Sequence, residues 1–190
     1  MLEALLKLDH HIFHTINYGM GNAFFDWLMP LIREKKNWTP LYAFILIYFI
    51  YNYRLKGFYF ILFFAAAVGL ADFLSAGIIK PLVNRDRPCQ EASYKQEVVL
   101  RVGCGTGKSF PSSHATDHFA MAIFMITVFY KRWRWIIYTG ILWAGAISFA
   151  QVYVGVHFPI DVFIGMLIGS LIGFLMGKLC VKVLPIFDHQ

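Results

Sequence analysis

Long apolar runs separated by short polar interruptions dominate the chain, and the interruptions set the predicted elements. Runs over 38–53, 57–79, 112–130, 133–150 and 159–181 read as helices that cross a membrane, since a span needs about 20 apolar residues. The first is short and bounded by Trp38 and Tyr53, aromatic residues of the kind that settle at headgroup level. The run 112–130 has polar first turns. Upstream, Leu2, Leu5, Leu6, Ile12, Phe13 and Ile16 recur on one helical face, which predicts an amphipathic helix lying in the interface. Residues 24–32 are apolar but too short to cross. The first 17 residues lack a continuous apolar core and a cleavage site, so no signal peptide is expected there. In the last run Gly165, Gly169, Gly173 and Gly177 recur every four positions, a spacing that lets another helix approach closely.

The pattern predicts an all-α fold, a polytopic transmembrane helical bundle of about five spans with an N-terminal interfacial helical region. Residues 1–37 form that region, 38–184 the membrane domain with an outward loop over 81–110, and 185–190 a cytoplasmic tail. Composition supports this. Of 190 residues, 58% are hydrophobic and 15% charged, and a soluble domain of that size could not bury so much apolar surface. The net charge of +6 suits anionic lipids and anionic substrates. The basic residues are scattered between apolar runs rather than gathered on one face, which argues against nucleic acid as a partner.

Charge also sets topology. Arg54 and Lys56, then Lys131, Arg132 and Arg134, then Lys178 and Lys182 fall between or after alternate spans. The positive-inside rule puts them in the cytoplasm, leaving 81–110 and the turn 151–158 outside. Arg33, Lys35 and Lys36 also land outside, against the rule. They are expected to meet anionic headgroups, the alternative being a sixth span in the N-terminal region.

Three outward segments carry chemistry. Lys80 and Arg87 flank a helix end; a compact ammonium and a planar guanidinium fork both suit phosphate oxygens. Pro111, Ser112, Ser113 and His114 read as a helix start, where free backbone N–H groups form an anion site and His114 can donate a proton to a leaving oxygen. His157 and Asp161 flank Pro159, a second predicted helix start. Asp161 can accept a bond from one His157 nitrogen and leave the other free as a nucleophile. Each segment alone also fits a bland reading, as juxtamembrane charge or helix cap. Together on one membrane face they point to phosphate chemistry.

These residues resemble the type-2 phosphatidic acid phosphatase superfamily, which includes the vanadium haloperoxidases. The family pattern is Lys, six residues, Arg-Pro; then Pro-Ser-Gly-His; then Ser-Arg, five residues, His, three residues, Asp. Lys80, Arg87 and Pro88 match the first part, Pro111, Ser112 and His114 the second with Ser113 in place of Gly, and His157 and Asp161 the third. The resemblance covers roughly 70–180 and implies a membrane lipid phosphatase without metal or cofactor. It implies that His157 attacks phosphorus, Asp161 orients it, His114 protonates the leaving group, and Lys80, Arg87, Ser112 and the Ser113 region hold phosphate oxygens. The expected site faces the periplasm of a bacterial inner membrane. Lipid A 1-phosphate is the leading substrate, with undecaprenyl diphosphate or phosphatidylglycerol phosphate as alternatives.

One departure stands out. The family Ser-Arg falls on Ala150 and Gln151. A positioned cation on a transferring phosphoryl group is worth about 10²- to 10⁵-fold in rate, so activity is expected to be weakened, with Gln151 left to donate a hydrogen bond. Three readings stay open: a substitution made to slow turnover, a natural enzyme of reduced or altered activity, or a non-catalytic binder of lipid phosphate.

Other polar residues have plainer expectations. Asp72 is expected to pair with His118 or Lys80, since carboxylates among lipid usually have partners. Asp117 and His118 either support His114 or line the helix. His10, His11 and His14 are read as interfacial, not as a metal site. Cys89 and Cys104 share the outward loop, where pairing and free thiols are both open; Cys180 is expected to be unpaired.

Overall fold

The computed structural model describes residues 2–92 and 94–185; the expected tail beyond Pro185 lies outside the described residues. α1 (Leu2–His14) runs into a π-helical turn over Thr15–Gly19. α2 (Ala23–Arg33) follows, with the Asn22 carboxamide accepting from Phe25 N at 2.9 Å. That bond satisfies one of the N–H groups a helix start leaves free.

Among the described residues, three helical stretches are long and apolar enough to cross a membrane: Lys35–Val83, Trp135–Tyr153 and Pro159–Val183. The first holds two of the expected spans. Its α3 segment (Thr39–Asp72) reverses at Arg54, where φ is 53° and ψ −126°. Across the reversal the rings of Phe49 and Phe60 approach to 4.1 Å, whereas 1.5 Å per residue would hold them about 16 Å apart in a straight helix. Gly57 permits the crossing, because a Cβ there would lie 1.9 Å from the Phe49 carbonyl oxygen. The second leg continues through a π-helical turn, Phe73–Ile79, into α4 (Lys80–Val83), which stops at Asn84 in the left-handed conformation.

α5 (Ser113–Phe129) is the central helix, packed against α3, α6 (Trp135–Tyr153) and α7 (Pro159–Val183). Its seam with α7 is where the glycine repeat acts. A Cβ on Gly169 would lie 2.1 Å from Thr116 O, and one on Gly173 2.4 Å from Ala120 O. In a membrane, where lipid is as apolar as leucine, such close backbone packing is a main source of helix association.

The two ends of the bundle differ. Phe49, Phe60, Phe124, Phe129, Ile136, Cys180 and Leu184 form one core cluster, which gathers the Arg54 reversal, the α5–α6 turn and the end of α7 at one end. The three basic clusters therefore share a side, as the charge pattern requires. The other end carries Lys80, the start of α5 and the α6–α7 turn.

The N-terminal helices are built onto that second end. Phe13 is buried in a cluster with Val152 and Phe158. Asn17 is buried too: its amide donates to Val99 O (2.9 Å) and Tyr153 O (2.8 Å), and its carbonyl accepts from Val99 N (2.8 Å). Leu5, Leu6 and Ile12 stay exposed on α1. The amphipathic pattern was correctly placed on a helix, but one side of that helix packs on protein.

Candidate active site

His157 lies in the turn between α6 and α7 and is only 2% exposed. Its Nδ1 is 3.4 Å from Ser109 Oγ and 3.7 Å from Asp161 Oδ2. The direct His–Asp hydrogen bond expected from sequence is thus stretched beyond bonding length, and Ser109 sits between the two. Ser109 donates a short hydrogen bond to Asp161 Oδ2. That same oxygen accepts from Phe158 N at 2.9 Å, closing the first turn of α7. Burial pushes the His157 pKa down to about 4, although Asp161 pulls it upward; Arg87 and Lys80 lower it further. The ring is therefore neutral at ordinary pH.

Asp161 is fully buried and doubly supported. Arg85 Nη1 reaches Asp161 Oδ1 at 2.8 Å, while Arg85 Nη2 reaches Asp9 Oδ2 at 2.7 Å. Asp9 also accepts from Ile160 N at 2.9 Å. The Arg85 guanidinium lies 4.1 Å from the centre of the Phe158 ring, a stacking that suits its planar charge.

The start of α5 meets this group directly. Ser112 N donates to Asp161 O at 2.9 Å, and Ser112 is fully buried. Its hydroxyl caps the helix by accepting from Ala115 N. Ser113 accepts from Ser75 Oγ at 3.3 Å. His114 is half-buried, its ring stacked 6.4 Å from that of His118. The seam of small residues between α5 and α7 is what lets two helix starts converge here.

Arg87 is held by the outward loop: Nε donates to Gly107 O (2.8 Å) and Nη1 to Cys104 O (2.9 Å). Cys89 and Cys104 are joined as a disulfide, which resolves the question left open by sequence. Gly105 has a φ of +75°, a conformation that favours glycine. Burial lowers the Arg87 pKa, and the nearby Arg33 lowers it further.

Several residues sit differently from expectation. The Asp72–His118 pair does not form, because His118 is committed elsewhere: Nδ1 lies 2.7 Å from His114 O and Nε2 3.2 Å from Tyr42 Oη. Asp72 is exposed and, among the described residues, forms no ion pair with Lys80 either. Asp117 pairs with Lys35 at 2.7 Å. Arg33, expected at headgroups, donates from Nε to Gln151 Oε1 at 3.3 Å. His10 packs against the rings of Tyr94 (4.7 Å) and Phe158 (5.0 Å), and His14 stacks on Tyr18 (5.2 Å). Cys180, by contrast, is free as expected, and buried.

The sequence reading missed Ser109, Arg85, Asp9 and Arg33. Arg85 lies inside the Lys80–Arg87 segment, and its position two residues before Arg87 was an available signal. Asp9 and Arg33 had none, since they come from elements far away in the chain.

Residues 58–183 match the family model of the PAP2 superfamily, and the chain belongs to that superfamily. It is a membrane lipid phosphatase of that family. Among curated relatives, it is 34% identical to the lipid A 4'-phosphatase of Bacteroides thetaiotaomicron over 168 residues, covering 87% of this chain and 73% of that one. It is 28% identical to the lipid A 4'-phosphatase of Porphyromonas gingivalis over 172 residues, covering 87% of this chain and 70% of that one. The solved structure of Aquifex aeolicus LpxE superposes with a TM-score of 0.65 at 26% identity, covering 92% of this chain and 95% of that one.

Proposed function

We propose that this chain removes a phosphate monoester from lipid A through a phosphohistidine intermediate, at the periplasmic face of a bacterial inner membrane. The observation that supports the mechanism is the buried His157, whose Nδ1 faces Ser109 and the Asp161 carboxylate. The relatives named for the 4' position support that phosphate as the scissile one, in place of the 1-phosphate expected from sequence.

In this scheme His157 Nδ1 faces Ser109 and Asp161, so Nε2 carries the attacking lone pair. The N–P bond forms as the bond from phosphorus to the lipid oxygen breaks, and that oxygen takes a proton from His114. His114 then takes a proton from water, whose oxygen attacks phosphorus, freeing His157 and inorganic phosphate. Lys80, Arg87, the Ser112 hydroxyl and the N–H groups at Ser113 hold the phosphoryl oxygens, where positioned positive charge counts most. A lipid substrate suits the surroundings. An apolar cleft of about 330 Å³ opens between α3, α5 and α6, lined by Leu41, Ile45, Phe64, Met121 and Tyr42. Tyr42 links that cleft to His118, one turn from His114.

The test is phosphate release in detergent from lipid A carrying both phosphates, undecaprenyl diphosphate and phosphatidylglycerol phosphate, with the chain and His157→Ala side by side. Release from the 4' position that His157→Ala abolishes is the expected result. Preferential release from another lipid reassigns the substrate. Binding without release, or release indifferent to His157→Ala, overturns the mechanism.

A further inference from the structure

We infer that Arg33, from the N-terminal helix α2, supplies to the phosphoryl group the cation that position 151 lacks, and that Gln151 is the positioning residue that aims it. This rests on the phosphatase reading above and names a further phosphate-binding group within it.

The contact itself is the first observation. Arg33 Nε donates to Gln151 Oε1 at 3.3 Å, and Gln151 is fully buried. The neutral amide therefore holds a guanidinium that comes from 118 residues earlier in the chain. An Arg at 151 would place a second guanidinium against the first; Gln accepts the bond without repulsion.

Charge accounting is the second. Among the described residues at this end, Arg85 pairs with Asp9 and Asp161, Lys35 with Asp117, Arg101 with Asp26, and Lys108 with Asp86. Arg33, Lys80 and Arg87 are all partly buried, and none of them forms an ion pair with a described carboxylate. A partly buried cation held against an amide and carbonyls, with no carboxylate partner, is a site prepared for an external anion. Burial lowers the Arg33 pKa, and the charge of Arg33 acts on Arg87.

The third observation is how firmly α2 is fixed. Met29 is buried with Ala150, Tyr153, Val154 and Val156. Tyr153 Oη donates to Asp26 at 2.6 Å. At the other end of α2, Asn37 Nδ2 and Trp38 Nε1 donate to Leu31 O and Ile32 O, each at 2.7 Å. The helix is thus pinned along α6 with its last residue over Gln151.

The experiment measures kcat and KM for phosphate release from lipid A, together with binding of inorganic phosphate by calorimetry. The proteins are the unaltered chain, Arg33→Gln, Arg33→Lys, Arg33→Gln/Gln151→Arg, and His157→Ala as the zero. Arg33→Gln is expected to lower kcat by about 10²-fold or more and to weaken phosphate binding, with thermal stability little changed. Arg33→Lys should keep part of the rate. The double variant, which returns a guanidinium from the other side, should recover at least about a tenth of the lost rate. Unchanged turnover and phosphate binding in Arg33→Gln overturns the inference. So does a double variant no better than Arg33→Gln, because a merely structural clamp gains nothing from a cation at 151. If the unaltered chain releases phosphate from no lipid, the phosphatase reading fails, and the phosphate-binding comparison alone decides for or against Arg33.

Discussion

Arg85 lies 2.8 Å from Asp161 and spans the gap from that carboxylate to Asp9 on the N-terminal helix. One guanidinium thus bridges two buried carboxylates from distant parts of the chain. Breaking such a buried pair by removing one partner costs about 3–5 kcal/mol. Arg85→Ala is expected to lower thermal stability in detergent. It should also cut kcat with little change in KM, since a misplaced catalytic group costs about 10²-fold. A kcat equal to that of the unaltered chain would show that Asp161 does not depend on Arg85.

The acidity of His157 sets a pH dependence. Its folded pKa is about 4, below the usual value for histidine, because burial disfavours the charged ring. The unfolded chain binds this proton more readily, so stability falls as pH drops below the unfolded value and continues to fall until the folded pKa is reached. In the proposed mechanism the neutral ring that attacks phosphorus persists to the same point. kcat/KM is expected to hold through mildly acidic pH and to fall only as pH approaches about 4. An NMR titration of the His157 ring in the substrate-free chain centred near pH 6.5 would contradict a buried neutral ring.

The disulfide Cys89–Cys104 closes a stretch whose cysteines are 15 residues apart, and Arg87 donates to the carbonyl of Cys104 within it. A loop of that size constrains the unfolded chain by about 3 kcal/mol. Replacing both cysteines by Ser is expected to lower thermal stability and to raise KM more than it lowers kcat, since Arg87 loses its anchor. Equal KM values in the two proteins would detach the loop from substrate binding.

The seam between α5 and α7 tolerates no Cβ at Gly169, which would meet Thr116 O at 2.1 Å. Gly169→Ala is expected to force the helices apart at a cost of about 1–3 kcal/mol or more and to weaken phosphate release, because both helix starts belong to the site. Gly145→Ala on α6 is the control, since nothing lies within 4 Å of a Cβ there. Similar melting temperatures for the two variants would show that the seam can yield.

Four of the five expected spans lie in helices long and apolar enough to cross, while the fifth, 112–130, forms the shorter central helix α5 of 17 residues; long apolar runs leave helices as the main way to satisfy backbone groups in lipid. The reversal at Arg54 was legible as a polar break between two runs. The two helix starts that bring Ser112 and Asp161 together were legible from Pro111 and Pro159 beside them. Asp72 was misjudged because a carboxylate within an apolar run says nothing about which way it faces. Ser109 was passed over because a lone Ser in a loop carries no pattern. Arg33 and Lys35 looked like headgroup cations, because proximity to Gln151 and Asp117 arises only when α2 lies along α6.

Sequence by itself determined the class of the fold, the grouping of the charge clusters and the helix starts on which the candidate residues sit. Those properties depend on short-range periodicity, hydropathy and the preferences of helix termini, which neighbouring residues settle among themselves. Tertiary structure alone decided that Ser109 stands between His157 and Asp161, that Arg85 bridges Asp161 to Asp9, and that Arg33 comes to rest on Gln151. Those contacts join residues 48 to 118 positions apart within each hydrogen-bonded pair from Ser109 or Arg33. Their geometry follows from how whole helices pack, which no local pattern encodes.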